Sequence, residues 1–94
     1  MKRNKEIWKV PLQITEWQHA LLPRNTKILS IQVQNKIPCI WFMVDYDDTL
    51  SSIMETVKLQ TVPTGESFSF SEDTHKFLGT YQVDGFVGHV FQVT

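Results

Sequence analysis

The 94-residue chain has one cysteine, Cys39, which excludes an intrachain disulfide framework and any multi-cysteine zinc site. It has no long apolar run. The longest, Ile37 to Val44, is interrupted by Pro38 and falls far short of the ~20 residues a spanning helix needs, so no membrane partner is expected. Charge of one sign is also scarce: a formal −1 argues against a surface built throughout for nucleic acid. No Asn-x-Ser/Thr site exists, because Asn4, Asn25 and Asn35 all lack Ser or Thr two places on. The basic start Met1-Lys2-Arg3-Asn4-Lys5 is not followed by an apolar stretch of signal-peptide length, which makes a cytosolic location the default. What is present is 41% hydrophobic and 20% charged residues in 11.0 kDa, a composition for one folded core. A single domain over 1–94 is expected, with residues 1–5 as a frayed basic tail.

Helix signals are few and strand signals dominate. Thr15 and Gln18 have capping-box spacing, but Pro23 would stop a helix within two turns, so residues 15–22 read as a short helix or a short strand. Residues 48–54 offer one further helical turn at best. Ile7 to Leu12 opens as a strand. Ile28 to Asn35 alternates Leu29, Ile31 and Val33 against Ser30, Gln32 and Gln34, the period of a sheet with one wet face. Pro38 to Tyr46 is apolar on both faces, with Ile40, Phe42 and Val44 against Cys39, Trp41 and Met43; such a strand is central, or its second face meets something else, and Trp41 is expected buried, in the core or between subunits. Glu55 to Val62, Lys76 to Val83 and Phe86 to Val93 follow, with Phe68 and Phe70 as one more short candidate. Asp84-Gly85 reads as a tight hairpin turn. The expected fold is all-β: six or seven short antiparallel strands in a small sandwich or half-barrel.

Charge is unevenly placed along the chain. Residues 1–44 carry seven Lys/Arg and two Glu, a net +5, and residues 45–94 carry two Lys and eight Asp/Glu, a net −6. Either the surface is dipolar, or strands from the two halves interleave and the charges mix. The doubly apolar strand and the charge split together predict a homo-oligomer, a dimer first.

Catalytic and metal constellations do not assemble in the sequence. Cys39 sits between Pro38 and Ile40 as a small buried hydrophobe. The acidic run Asp45-Tyr46-Asp47-Asp48 fails as a calcium loop, since Leu50 and Thr56 occupy the positions that need Gly and Glu. His19, His75 and His89 have no metal-ligand spacing. His89 shares a strand face with Val87, Phe91 and Val93, where it is a core histidine satisfied by a carbonyl or a ligand contact. No enzyme, no cofactor and no metal are expected, and nucleic-acid binding has thin support. A small-ligand pocket has more. A purine ring wants an aromatic platform, which Trp41 or Tyr46 could supply. Phosphates want a cation and backbone N–H groups, which Lys58 and the Thr64-Gly65 turn could supply, and base edges want amides such as Gln32 and Gln34. With His89, these eight residues form the candidate set.

The order Ile7-Trp8-Lys9, Leu22-Pro23, Lys27 to Asn35, Pro38, Trp41, Val44-Asp45, Thr64-Gly65, Phe77 to Gln82 and Phe86 to Phe91 resembles a family of short, mostly uncharacterised phage and prophage proteins. That family's middle segment reads Gly-Thr-Gly-x-Pro; here Val62 to Glu66 lacks the first Gly and the last Pro. The resemblance implies a small β-rich fold, phage origin and action in the host cytoplasm, and it supplies no catalytic residues. The function expected from it is binding that counters host defence, by sequestering a small anionic nucleotide-type signal without cleaving it. The alternatives are occlusion of a host defence or phage protein and a minor structural or assembly role.

Overall fold

A computed structural model of the chain describes residues 4–45 and 53–94. Seven strands form: β1 (Lys5–Pro11), β2 (Trp17–Pro23), β3 (Lys27–Gln34), β4 (Ile37–Asp45), β5 (Met54–Pro63), β6 (His75–Val83) and β7 (Phe86–Val93). All pairings are antiparallel. The first sheet has the order β1-β4-β3 and the second β2-β5-β7-β6. Inward-facing Ile31, Ile40, Phe42 and Val44 of the first meet Ala20, Leu22, Leu59, Tyr81, Val83 and Val90 of the second in one core. The all-β sandwich expected from the alternation is the fold that forms, and among the described residues no helix is present, so none is long and apolar enough to cross a membrane.

Within residues 15–22, Thr15 and Glu16 form a bend and Trp17 onward is strand, and the reason is local as well as tertiary. The Thr15 hydroxyl donates to the Trp17 carbonyl at 3.1 Å instead of capping a helix. The Gln18 amide turns back to bond both the N–H and the carbonyl of Gln13, at 3.0 and 2.7 Å. The capping pair therefore fixes a bend, and seven residues of pairing with β5 hold Trp17–Pro23 extended. Lys5, within the stretch expected as a tail, lies inside β1, opposite Asp45 with an ion pair at 3.3 Å. Phe68 and Phe70 do not form a strand. The candidate turn at 48–54 lies outside the described residues except for Ile53 and for Met54, which opens β5.

Two bulges reset the alternation on the facing edges β3 and β6. The register with β4 shifts between Ile28 and Ser30, so Ile28 packs on the core and Leu29, expected to face inward, is 42% exposed. The register with β7 shifts between Phe77 and Gly79. A bulge adds a residue and tightens the twist, which lets these two edges cross closely: a Cβ on Gly79 would sit 3.1 Å from the Ile31 side chain. The hairpin turns use positive φ, as a two-residue loop requires, at Asn35 and Lys36 and at Asp84 and Gly85.

Trp41 is not in the core. It lies half-buried on the outer face of β4, the central strand of its sheet, with the Lys9 ammonium 5.5 Å from its ring centroid. Charge among the described residues stays sorted by sheet. The first sheet and its turn carry Lys5, Lys9, Lys27 and Lys36 against Glu6 and Asp45. The second sheet and its loops carry Glu16, Glu55, Glu66, Glu72, Asp73 and Asp84 against Arg24, Lys58 and Lys76. The strands do interleave in sequence order, yet the dipolar arrangement survives it.

Candidate functional site

The outer face of the four-stranded sheet is built in rows. Opposite one another stand Val62, His89 and Thr80 in one row, and Gln60, Phe91 and Phe77 in the next; His75 and Val93 follow. An outer face normally faces water, but here Gln60 is 3% and Val62 5% exposed. The cover is the connection between β5 and β6, which crosses the sheet and lays Phe68 and Phe70 on it. The Phe68 ring centroid lies 5.3 Å from Phe91 and 6.2 Å from His75, and Phe70 lies 5.4 Å from His75 and 6.0 Å from Phe91. Phe77 completes the cluster at 5.4 Å from Phe91 and stays 55% exposed. These tilted and edge-on geometries are the ones aromatic quadrupoles favour.

Between this cluster and the turn after β5 lies a cavity of about 250 Å³, walled by Phe68, Phe77 and Phe91 with Thr64, Gly65 and His89 at one end. His89 is fixed there from both sides: Nε2 lies 2.7 Å from the Thr64 hydroxyl and Nδ1 2.8 Å from the Thr80 hydroxyl. A neutral imidazole has one donor and one acceptor nitrogen, and a hydroxyl can serve either, so both tautomers satisfy the bridge. Side-chain hydroxyls therefore take the place of the expected backbone carbonyl. Gly65 adopts a φ of 90°, a left-handed conformation open to glycine, and turns the chain back over the sheet. The Thr64 and Glu66 amides are committed to the Val87 and Pro63 carbonyls, at 3.3 and 3.2 Å, so the turn does not present a run of free amides to an anion.

A second polar chain runs beneath the same loop. His75 Nε2 lies 3.1 Å from Gln60 Oε1, Gln60 Nε2 donates to Glu16 at 3.4 Å, and His75 Nδ1 lies 2.8 Å from the Thr74 hydroxyl. It satisfies the buried Gln60 amide on both ends and anchors the far end of the covering segment.

The eight candidate residues fall into separate places. Thr64, Gly65 and His89 come together at the cavity. Lys58 shares the sheet face but lies five residues up β5 from Pro63, about 17 Å in an extended strand. Its ammonium sits 4.9 Å from the Trp17 ring centroid. Lys58 and the Thr64-Gly65 turn therefore do not converge on one phosphate. Gln32, Gln34 and Trp41 belong to the three-stranded sheet, where the Trp41 indole N–H donates to the Gln32 carbonyl at 3.4 Å. Tyr46 lies outside the described residues. Among the described residues, no three His, Cys, Asp or Glu side chains gather to hold a metal ion.

Sequence reasoning missed Phe68, Phe70, Phe77, Phe91 and His75. A signal existed: β7 is apolar in both phases, Phe86 and Val90 in one and Val87, Phe91 and Val93 in the other. That pattern marks a strand covered on both sides, and a loop carrying Phe68 and Phe70 is the nearest cover in sequence.

Comparison with known families finds one family model, described as Domain of unknown function (DUF7352), matching residues 3–94. Neither the curated proteins nor the solved structures contain a significant match to the chain.

Proposed function

We propose that this chain, which belongs to the DUF7352 family, is a non-catalytic binding module that holds a nucleobase-type ring in the aromatic cavity of its four-stranded sheet. One observation carries the reading: a cavity of about 250 Å³ combines three phenylalanine walls with an imidazole held between two hydroxyls. Aromatic walls stack a flat ring, at about 1–3 kcal/mol per base. The Thr64 hydroxyl, positioned by His89 and left with bonding capacity beyond that contact, offers a hydrogen bond to its edge. The volume lies below the ~300–1,000 Å³ typical of drug-sized ligands, which suits a single ring with its sugar and phosphates left outside. None of the lining residues is a cation and one is Glu66, so stacking rather than phosphate contact supplies the affinity.

The resemblance to phage and prophage proteins extends the proposal to biology: the module sequesters a nucleotide-type signal of host defence in the host cytoplasm and releases it intact. A thermal-shift series with nucleosides, nucleotides and cyclic nucleotides tests it. The melting temperature rises with ligand concentration, heated protein returns unmodified ligand, and Phe77→Ala together with His89→Ala abolishes the shift. A series in which no ring-bearing ligand raises the melting temperature would sink the reading.

A second reading rests on the three-stranded sheet. Its outer face carries Ile7, Met43 and Trp41 flanked by Lys5, Lys9 and Lys27. An apolar stripe edged with lysines suits an acidic protein partner, the occluding alternative. Co-purification of such a partner that is lost on Ile7→Glu, with no ligand-dependent melting shift, favours it.

A further inference from the structure

We propose that copies of this chain dock face to back. The outer face of the three-stranded sheet of one copy seats on the loop-covered outer face of the four-stranded sheet of the next. The inference rests on the second reading above for the location of the basic face, and it commits that face to a second copy of the chain. It is independent of what the aromatic cavity binds.

The two faces are alike in apolar content and opposite in charge. On the three-stranded sheet the outward residues stand in rows, Ile7–Met43–Lys27 and Lys9–Trp41–Ser30, and Ile7 is 62% exposed. Lys5 in the next row is balanced by Asp45, which leaves Lys9 and Lys27 to set the sign. On the four-stranded sheet Phe70 and Phe77 are each more than half exposed. The segment 64–74 that crosses this face carries Glu66, Glu72 and Asp73 and no lysine or arginine. Among the described residues, neither these three acids nor Lys9 and Lys27 enter an ion pair.

The cations of the second sheet do not offset this acidity. Arg24 is paired with Glu55 at 2.7 Å, and the Lys58 ammonium lies against Trp17 at the β2 margin. Lys76 precedes Phe77 in β6, so alternation turns it to the opposite side of the sheet.

Each face therefore repels its own kind and attracts the other. Exposed ion pairs are worth only about 0–1 kcal/mol each, so the apolar residues supply the affinity and the charges choose the face. The two patches lie on the outer faces of opposite sheets, so two copies cannot engage both at once. The contact is heterologous: the first complex is a dimer with one face of each kind still open, and further copies add until a ring closes or a chain grows.

Sedimentation velocity of the full chain, from tens to hundreds of micromolar, tests the proposal. At low salt the mass should rise from one copy to two and then beyond two. At about 1 M salt, where the Debye length falls to about 3 Å, association should weaken about tenfold. Lys9→Glu with Lys27→Glu leaves two acidic faces, and Glu72→Lys with Asp73→Lys leaves two basic ones. Each double variant alone should sediment as a monomer with the circular dichroism of the parent, and an equimolar mixture of the two should associate. Ile7→Glu should weaken self-association at least about tenfold at either salt, through loss of the apolar anchor. Four results overturn the proposal: a parent that stays monomeric, an assembly that stops at two copies, a charge-reversed variant that associates alone as the parent does, or a mixture that stays monomeric. A monomeric parent that binds a foreign acidic protein through Ile7 overturns self-docking and leaves the second reading standing.

Discussion

Gly88 gives the sharpest single test of how the core face of the four-stranded sheet is packed. It stands in β7 between Pro63 of β5 and Tyr81 of β6, buried and facing the core. A Cβ there would lie 2.7 Å from Thr61 Cγ2, 2.9 Å from Phe86 Cε2 and 3.1 Å from Tyr81 Cζ. Carbon atoms pack best at about 3.5–4.0 Å, so all three contacts are too short. The Phe86 ring edge can swing aside. Thr61 cannot easily, because a β-branched side chain is stiff at χ1 and its backbone is pinned to Glu16 and to β7. Overpacking of this kind costs about 1–3 kcal/mol, and alanine recovers about 0.5–1 kcal/mol of the entropy penalty of glycine in a strand. Gly88→Ala should therefore destabilise by about 0.5–2 kcal/mol. In a domain of this length that lowers the melting temperature by about 2–16 °C. Removing the clashing methyl by Thr61→Ser in the same chain should restore at least about 0.5 kcal/mol beyond additivity. Urea denaturation of the four chains of this cycle, followed by circular dichroism, provides the numbers. A Gly88→Ala variant as stable as the parent, or a cycle without coupling, refutes the close approach.

Tyr81 should make the protein sensitive to alkali. Burial pushes its phenol above the ordinary value of 10.0, and the adjacent Thr61 hydroxyl pulls the other way without meeting it in hydrogen-bond geometry. A raised native pKa means the native state holds its proton longer than the unfolded chain, so this contribution is intact below about pH 10 and is lost as pH climbs from there through the native value. Tyr81→Phe should flatten that alkaline limb in a pH series of denaturation midpoints and leave neutral-pH stability within about 1 kcal/mol of the parent; an unchanged limb counts against the assignment. The isolated chain should also self-associate as a dimer, since Ile7, Trp8, Trp17, Leu21, Phe70 and Phe77 are all exposed; light scattering that reports 11.0 kDa at tens of micromolar refutes it.

Much of the fold was legible from the chain alone. Period-two alternation in Ile28 to Asn35, Asp84-Gly85 as a hairpin turn and the doubly apolar Pro38 to Tyr46 stretch are local signals, and each appears in the sandwich as a strand, a tight turn or the central strand β4. Such signals suffice because side-chain alternation and turn dihedrals act between near neighbours. The bulges at Leu29 and Leu78 were not legible, because they answer to the crossing of β3 with β6, two strands far apart in sequence. The strand at Trp17–Pro23 was open for the same reason: its capping pair suits a helix, and pairing with β5 decides against one. The candidate site divides along this line. Residue chemistry alone picked out His89, Thr64 and Gly65, which the fold gathers. It also picked out Lys58, Gln32, Gln34 and Trp41, which the fold places elsewhere. A site is a set of distances between strands, and those are set by sheet order and by a loop laid across a face, neither of which a residue's own neighbours encode.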